Sequence, residues 1–424
     1  MTKAIAIFAV LILSTGVLAQ SPLKYSFGLN RALPGYIDVQ ATNIFSSDKG
    51  FGFEPGANIR CIAVKGKFQG VCGSDKAFYF SVALPEGNYR VTVTLGGAAP
   101  TNETVKAELR RLMLQNLATR KGETVTRSFL VNVRRPQIST GGEVKLKDRE
   151  KTSEWWAWDE KLTLEFNGTN PTIHSIEIEP VKVKVPTIFL LGDSTVCDQP
   201  SEPYASWGQM LTGFFGPEVA IANHAESGES LRSSLGAKRL DKVLSLMKPG
   251  DYLLIQYGHN DEKEKGEGVG AFTTFKASLK YFIEEAQKKG GNVILITPVQ
   301  RRTFDASGKI TNSHGEYPEA VRQAAKEEKV PMIDLNAMSK DLYESLGPER
   351  SGILFKEGDG THHNNYGAYE LAKCIVQAIR DQKLSIGKFL IKGLPTFDPK
   401  HPDSRESFAV PPSLTLTTQK PLGN

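Results

Sequence analysis

From residue 186 onward the chain repeats one unit, a short apolar run followed by a stretch with helical spacing. The runs fall at 187–191, 219–223, 252–256, 292–297 and 330–335. Helix-like stretches lie between them at 203–215, 233–247, 272–289 and 317–328. Apolar runs of strand length suit strands buried on both faces, and strands alternating with helices are βαβ units. The pattern predicts a parallel sheet covered by helices on both sides, an α/β domain over residues 186–390. Its last helix is predicted at about 365–381, where Leu371, Ile375, Ala378 and Ile379 recur at helical spacing.

The preceding segment, 22–182, reads differently. Phe78–Leu84 and Tyr89–Leu95 both alternate with period two around Pro85-Glu86-Gly87-Asn88, which reads as a hairpin. Further strands fit 126–133, 162–166 and 173–179. Strands spaced by turn signals, with little helical periodicity, predict a β-sandwich. Inside it, Trp155-Trp156-Ala157-Trp158 is either an exposed platform for sugar rings or part of the core.

The ends are distinct again. Lys3, the apolar run 4–13 and Val17-Leu18-Ala19 have the grammar of a cleaved export signal over 1–19. No Cys follows the cleavage site, and no other apolar stretch is long enough to span a bilayer. An exported protein, secreted or periplasmic, without membrane insertion is therefore expected. Residues 391–424 are rich in Pro and polar residues and read as an extended tail, either docked or partly disordered. Export permits disulfides. Cys61 and Cys72 flank a short turn, so a bridged hairpin and two buried thiols are both open; Cys197 reads as packed near its neighbours. No spacing of Cys or His marks a metal site. A formal charge of +5 over 424 residues is too small and scattered to imply nucleic acid, and it is compatible with an anionic polysaccharide.

Four blocks then fall at strand ends or helix starts: Gly192-Asp193-Ser194-Thr195, Gly228, Gly258-His259-Asn260-Asp261 and Asp359-Gly360-Thr361-His362. Open α/β sheets bind ligands beyond the carboxyl ends of their strands, where Ser194 is expected. A serine hydroxyl becomes a nucleophile when an adjacent base takes its proton, and that base needs an orienting carboxylate. Asp359 with His362 supplies both; His363 is the rival base. Acyl transfer also needs donors for the oxyanion. The backbone N–H groups of Ser194 and Gly228 and the side-chain amide of Asn260 are the candidates.

Gly-Asp-Ser, Gly, Gly-x-Asn-Asp and Asp-x-x-His, in this order, resemble the SGNH hydrolases, also called GDSL-type esterases. With Thr195 as the fourth residue of the first block, the chain resembles the rhamnogalacturonan acetylesterase branch. The resemblance covers roughly residues 186–385. It implies a flavodoxin-like three-layer α/β/α fold, an acetyl-serine intermediate, and no metal or organic cofactor. By matched position it implies Ser194 as nucleophile, His362 rather than His363 as base, Asp359 as its orienting group, and Gly228 and Asn260 in the oxyanion hole.

Substrate contacts are sought near the same rim. Arg301 and Arg302 follow the fourth strand, and an Arg fork suits a galacturonate carboxylate; His314 lies in the same insertion. Tyr204 and Trp207 sit at helical positions that favour the core. The expected activity is removal of acetyl groups from plant cell-wall polysaccharide, rhamnogalacturonan first, with xylan, other acylated glycans or small esters as alternatives. A non-catalytic glycan-binding protein would have no reason to keep every one of these groups.

Overall fold

A computed structural model describes residues 22–28, 33–64, 70–181, 184–414 and 422. The expected export signal and the last part of the tail, apart from Leu422, lie outside the described residues.

The first domain is a sandwich of two five-stranded sheets. One runs in the order Val125–Val133, Gly87–Leu95, Ser175–Pro180, Leu23–Phe27, Ile37–Val39; the other runs Phe51–Phe53, Phe78–Ala83, Lys161–Thr169, Thr101–Ala107, Arg111–Thr119. Tyr25, Phe27, Val91, Val93, Ile176 and Ile178 meet Phe53, Phe78, Phe80, Val82, Leu164 and Phe166 in a buried core. Aromatic edges fill it, with Phe27 and Phe80 centroids 5.0 Å apart and Phe78 stacked on Phe166 at 5.1 Å.

The hairpin expected around Pro85 is a sandwich corner. Phe78–Ala83 pairs with Lys161–Thr169, whereas Gly87–Leu95 pairs along its full length with Val125–Val133 in the opposite sheet. Alternation marks each strand but not its partner, and here each strand finds a nine-residue partner within its own sheet. Tyr89 Oη donates to the Pro85 carbonyl at 2.8 Å and holds the corner. A true two-stranded pairing does join Arg60–Ala63 to Gly70–Gly73, with Cys61 directly opposite Cys72 and the two bridged as a disulfide.

The second domain has a five-stranded parallel sheet in the order Ala220–Asn223, Thr187–Gly192, Tyr252–Gln256, Asn292–Ile296, Met332–Ile333. The last strand is shorter than its apolar run. Alternate side chains serve alternate faces. Ile188, Leu190, Leu254 and Ile296 face the helices Trp207–Leu211 and Asn365–Asp381. Phe189, Leu191, Leu253 and Leu295 face Arg239–Leu246, Lys276–Lys288 and Tyr317–Glu328. This is the expected three-layer α/β/α arrangement, and strand order reverses next to Thr187–Gly192, the place where open α/β sheets bind their ligands.

The two domains share packing. Leu112, from the first domain, is fully buried among the side chains of the second domain's core. Around it Arg110 Nη1 donates to the carbonyls of Gln199 and Tyr204, and Arg111 pairs with Asp198 at 2.7 Å. Trp156 and Trp158 are buried, with the Arg134 guanidinium 4.4 Å over the Trp158 ring, so the tryptophan cluster is core rather than a sugar platform; only Trp155 is exposed, beneath the Lys161 ammonium. The tail is docked through residue 414. Lys106 Nζ donates to the Pro411 carbonyl and Ser413 Oγ, and Ser413 N–H donates to Glu202.

Leu112→Ala should lower the unfolding free energy by about 2–5 kcal/mol. It should move near- and far-ultraviolet denaturation curves together, because the deleted contacts lie between the domains. Two separated transitions, with only the first domain weakened, would contradict a shared core.

Candidate active site

The strand Thr187–Gly192 ends in a crowded exit. A side chain at Gly192 would meet the Gln256 carbonyl at 2.7 Å, so only glycine fits there. The three residues that follow are nearly solvent-free and held by side chains. Asp193 Oδ1 accepts from Thr195 N–H at 2.9 Å and Thr195 Oγ1 at 2.8 Å, while Oδ2 faces His259 Nδ1 at 3.2 Å. Burial pushes His259 down to about 4, so it is a neutral donor to Asp193. Burial alone would raise Asp193, yet the His259 and Thr195 donors hold its carboxyl below the usual range. Thr195 in turn accepts from Gln256 Nε2 at 2.6 Å, and Gln256 Oε1 accepts from Trp207 Nε1 at 2.8 Å. Gln199 Nε2 donates to the Ser194 carbonyl at 2.6 Å. Trp207 is thus core, as its spacing implies, and its indole helps fix the serine turn.

Ser194 Oγ lies 2.9 Å from His362 Nε2, and His362 Nδ1 lies 3.0 Å from Asp359 Oδ2. The other oxygen of Asp359 accepts the backbone N–H groups of Thr361 and His362 at 2.8 and 2.9 Å. Burial works to raise the Asp359 pKa, but the His362 ring and these N–H groups outweigh it and hold the carboxyl well below the usual carboxylate range. An ionised Asp359 requires the His362 proton on Nδ1, leaving Nε2 to accept from Ser194. The Asp359–His362 loop is pinned from outside by Arg302 N–H donating to the Gly360 carbonyl at 2.7 Å. Tyr204 sets its ring edge against His362 with centroids 6.0 Å apart.

His363 faces away. It is buried, its Nε2 is 2.6 Å from Tyr343 Oη, and burial pushes it down to about 3. It pairs with Ala205 in a two-residue ladder just before the helix Asn365–Asp381, whose start is capped by Asn364.

The oxyanion candidates come from loops beside this pair. Gly228 has φ +75, a left-handed conformation natural to glycine, and a side chain there would meet Leu422 Cβ at 2.9 Å. Among the described residues, neither the Ser194 nor the Gly228 N–H has a protein acceptor. Asn260 Nδ2 donates one hydrogen to the Glu229 carbonyl at 2.9 Å, which ties its loop to that of Gly228 and leaves the second hydrogen for another acceptor. Cys197 is a buried thiol, pushed up by burial, with its sulfur 3.3 Å from Ser227 Oγ.

The three expected substrate contacts are committed elsewhere. Arg301 pairs with Glu262 at 2.5 Å and reaches the His259 carbonyl. His314 is buried, with Nδ1 2.8 Å from Glu262 and Nε2 2.7 Å from the Val299 carbonyl, its ring edge-on to His259. Arg302 donates to Ser351 Oγ and the Pro348 carbonyl. Arg302 thus spends its Nε and Nη2 donors, and Arg301 its Nη2 donors, on acceptors within the protein. These residues brace the loops that carry His259 and Asp359.

A second set of groups, unmarked by any motif, surrounds the Gly228 loop. Lys147, Arg149 and Glu150 of the first domain interlock with Glu226, Glu229 and Arg239 of the second. Arg239 grips Glu150 with both terminal nitrogens at 3.0 and 2.7 Å, and its Nε lies 3.4 Å from Glu229. Arg149 pairs with Glu154 at 2.5 Å and sits 3.9 Å from Glu226. Burial, with Glu154 and Glu150 close by, pushes Glu226 well above the usual carboxylate range. Sequence reading offered no signal for this cluster, because its halves are about 80 positions apart and in different domains.

Residues 190–368 match the GDSL-like lipase/acylhydrolase family, and residues 23–140 match a galactose-binding domain-like model of the β-agarase/YXIM esterase type. A rhamnogalacturonan acetylesterase of Bacillus subtilis, RhgT, is 41% identical over 48% of this chain and 94% of its own length. The YxiM esterase of the same organism is 31% identical over 85% of this chain and 91% of its own. A crystal structure of YxiM aligns with 86% of this chain and 99% of that one at 30% identity and a TM-score of 0.47. The chain belongs to the GDSL-like lipase/acylhydrolase family, in its rhamnogalacturonan acetylesterase-like branch, and is a serine esterase.

Proposed function

We propose that this esterase is exported and removes acetyl groups from rhamnogalacturonan through an acetyl-serine intermediate. The observation that carries the chemistry is the continuous contact from Ser194 Oγ through His362 to Asp359, at 2.9 and 3.0 Å. His362 Nε2 takes the Ser194 proton as Oγ bonds to the acetyl carbonyl carbon. Asp359 stabilises the imidazolium that forms. The oxyanion is met by the N–H groups of Ser194 and Gly228 and by the Asn260 amide. Each such donor is worth about 10²–10³ in rate. His362 then gives its proton to the departing sugar oxygen, and the C–O bond to the sugar breaks. Water, deprotonated by His362, attacks the acetyl-serine; acetate leaves and Ser194 regains its proton.

The substrate reading rests on relatives. RhgT and a fungal relative from Emericella nidulans, 27% identical over 84% of its length, are both rhamnogalacturonan acetylesterases. Export rests on the charged start, apolar run and small-residue site of residues 1–19, and it is consistent with the Cys61–Cys72 bridge.

Ser194→Ala should cost at least about 10⁴-fold in kcat with the fold intact, and His362→Ala nearly as much. His363→Ala should keep most of its turnover and lose stability instead, because its partner Tyr343 is left unpaired. Steady-state kinetics paired with thermal melts would check all three; an active Ser194→Ala, or His363→Ala as the crippled variant, rejects the assignment. Acetate release from acetylated rhamnogalacturonan should exceed that from acetylated xylan by at least about tenfold in kcat/KM. Equal or reversed rates would move the substrate to another glycan.

A further inference from the structure

The Ser227–Gly228 peptide is one rigid plane, with the Ser227 carbonyl oxygen on one side and the Gly228 N–H on the other. Lys147 Nζ donates to that oxygen at 2.5 Å. The same ammonium lies 3.1 Å from Glu229 Oε1, the carboxylate just after the glycine. It also lies 3.7 Å from where a side chain on Gly228 would begin. Thus one cation from the first domain holds the peptide on both sides of the glycine.

Lys147 is itself placed. Its backbone N–H donates to Glu150 Oε2 at 2.8 Å, and Glu150 is locked to Arg239 by two hydrogen bonds. Arg239 also reaches Glu229, so the Lys147–Glu229 and Glu150–Arg239 contacts close a ring across the domain boundary. Lys147 is about a quarter exposed, whereas Glu150, Glu229 and Arg239 are almost fully buried. The ring is therefore dry on the inside, with the ammonium at its wet edge beside the oxyanion glycine.

Two effects follow. A donor fixed on the carbonyl oxygen sets the rotation of the peptide plane, and so the direction of the Gly228 N–H. A positive charge on that oxygen also draws density from the amide nitrogen, and hydrogen bonds in such a chain strengthen one another. We infer that Lys147 is a positioning residue for catalysis: it orients and polarises the Ser227–Gly228 peptide, so that the first domain completes the oxyanion hole of the second. The inference rests on the reading of Gly228 as an oxyanion donor.

The test is a set of Lys147 variants in the full chain, with aryl acetate kinetics, thermal melts and binding of methylboronic acid. Methylboronic acid forms a tetrahedral anion on a catalytic serine and so probes the oxyanion hole without turnover. Lys147→Met should lose roughly 10- to 100-fold in kcat, short of the roughly 10²–10³ for deleting a donor outright. KM should change little, and methylboronic acid affinity should fall in parallel with kcat. Lys147→Gln, which can still donate but carries no charge, should fall between Met and wild type, and Lys147→Arg should be nearest to wild type. Wild-type kcat in Lys147→Met would overturn the inference. So would equal losses in all three variants that track a drop in melting temperature, since that pattern marks a merely structural role. Ser194→Ala is the separate control: if it is inactive while Lys147→Met is normal, the nucleophile stands and this inference falls. If Ser194→Ala stays active, the underlying reading falls.

Discussion

The hydrogen bond from Ser194 to His362 joins groups 168 positions apart in the sequence. Nothing local brings them together. The serine must stand at the end of one strand and the imidazole at the start of the last helix, with both loops on the same edge of the sheet. Each loop is therefore fixed before the two side chains meet. The serine turn is held by a buried chain running Trp207, Gln256, Thr195, Asp193 and His259. The histidine loop is held by Asp359 folding back on two N–H groups, by Arg302 on Gly360, and by Asn364 at the helix start. A contact at hydrogen-bond distance is worth little if its partners wander by 1 Å, and these shells keep them from doing so.

The same logic extends across the domain boundary. Buried ion pairs are weak evidence for stability, because desolvation offsets most of their attraction. Their value here is geometric. Glu150, Arg239, Glu229 and Lys147 leave the Gly228 loop few alternative arrangements, since any shift would strand a charge in a dry interior. The first domain is galactose-binding-like in its family match, yet its Trp156 and Trp158 are turned inward and its Leu112 is buried in its neighbour's core. Its contacts with the esterase domain are those of a structural partner.

Much of this was legible in the residues. The apolar runs predicted the parallel sheet, the short motifs picked out Ser194, Asp359 and His362, which the structure brings into contact, and the family resemblance favoured His362 over His363. The sandwich was visible too, but not the pairing at Pro85, because alternation describes a strand's two faces and is silent about its neighbour. For Arg301, Arg302 and His314, position after a strand gives proximity and not orientation; their side chains reach Glu262, Ser351 and backbone carbonyls. His259 and Asp193 lie inside two of the motifs, but no spacing rule joins them across 66 positions of sequence. Lys147 was beyond reach, since no spacing rule connects it to Gly228.

The most direct measurement is mass spectrometry of the enzyme quenched during turnover of an excess of aryl acetate. The account predicts a single acetyl group on the peptide that carries Ser194, formed at the rate of the initial burst of phenol and lost at the steady-state rate. An enzyme that turns over at full rate with Ser194 unmodified, or with the acetyl group on another residue, would contradict it.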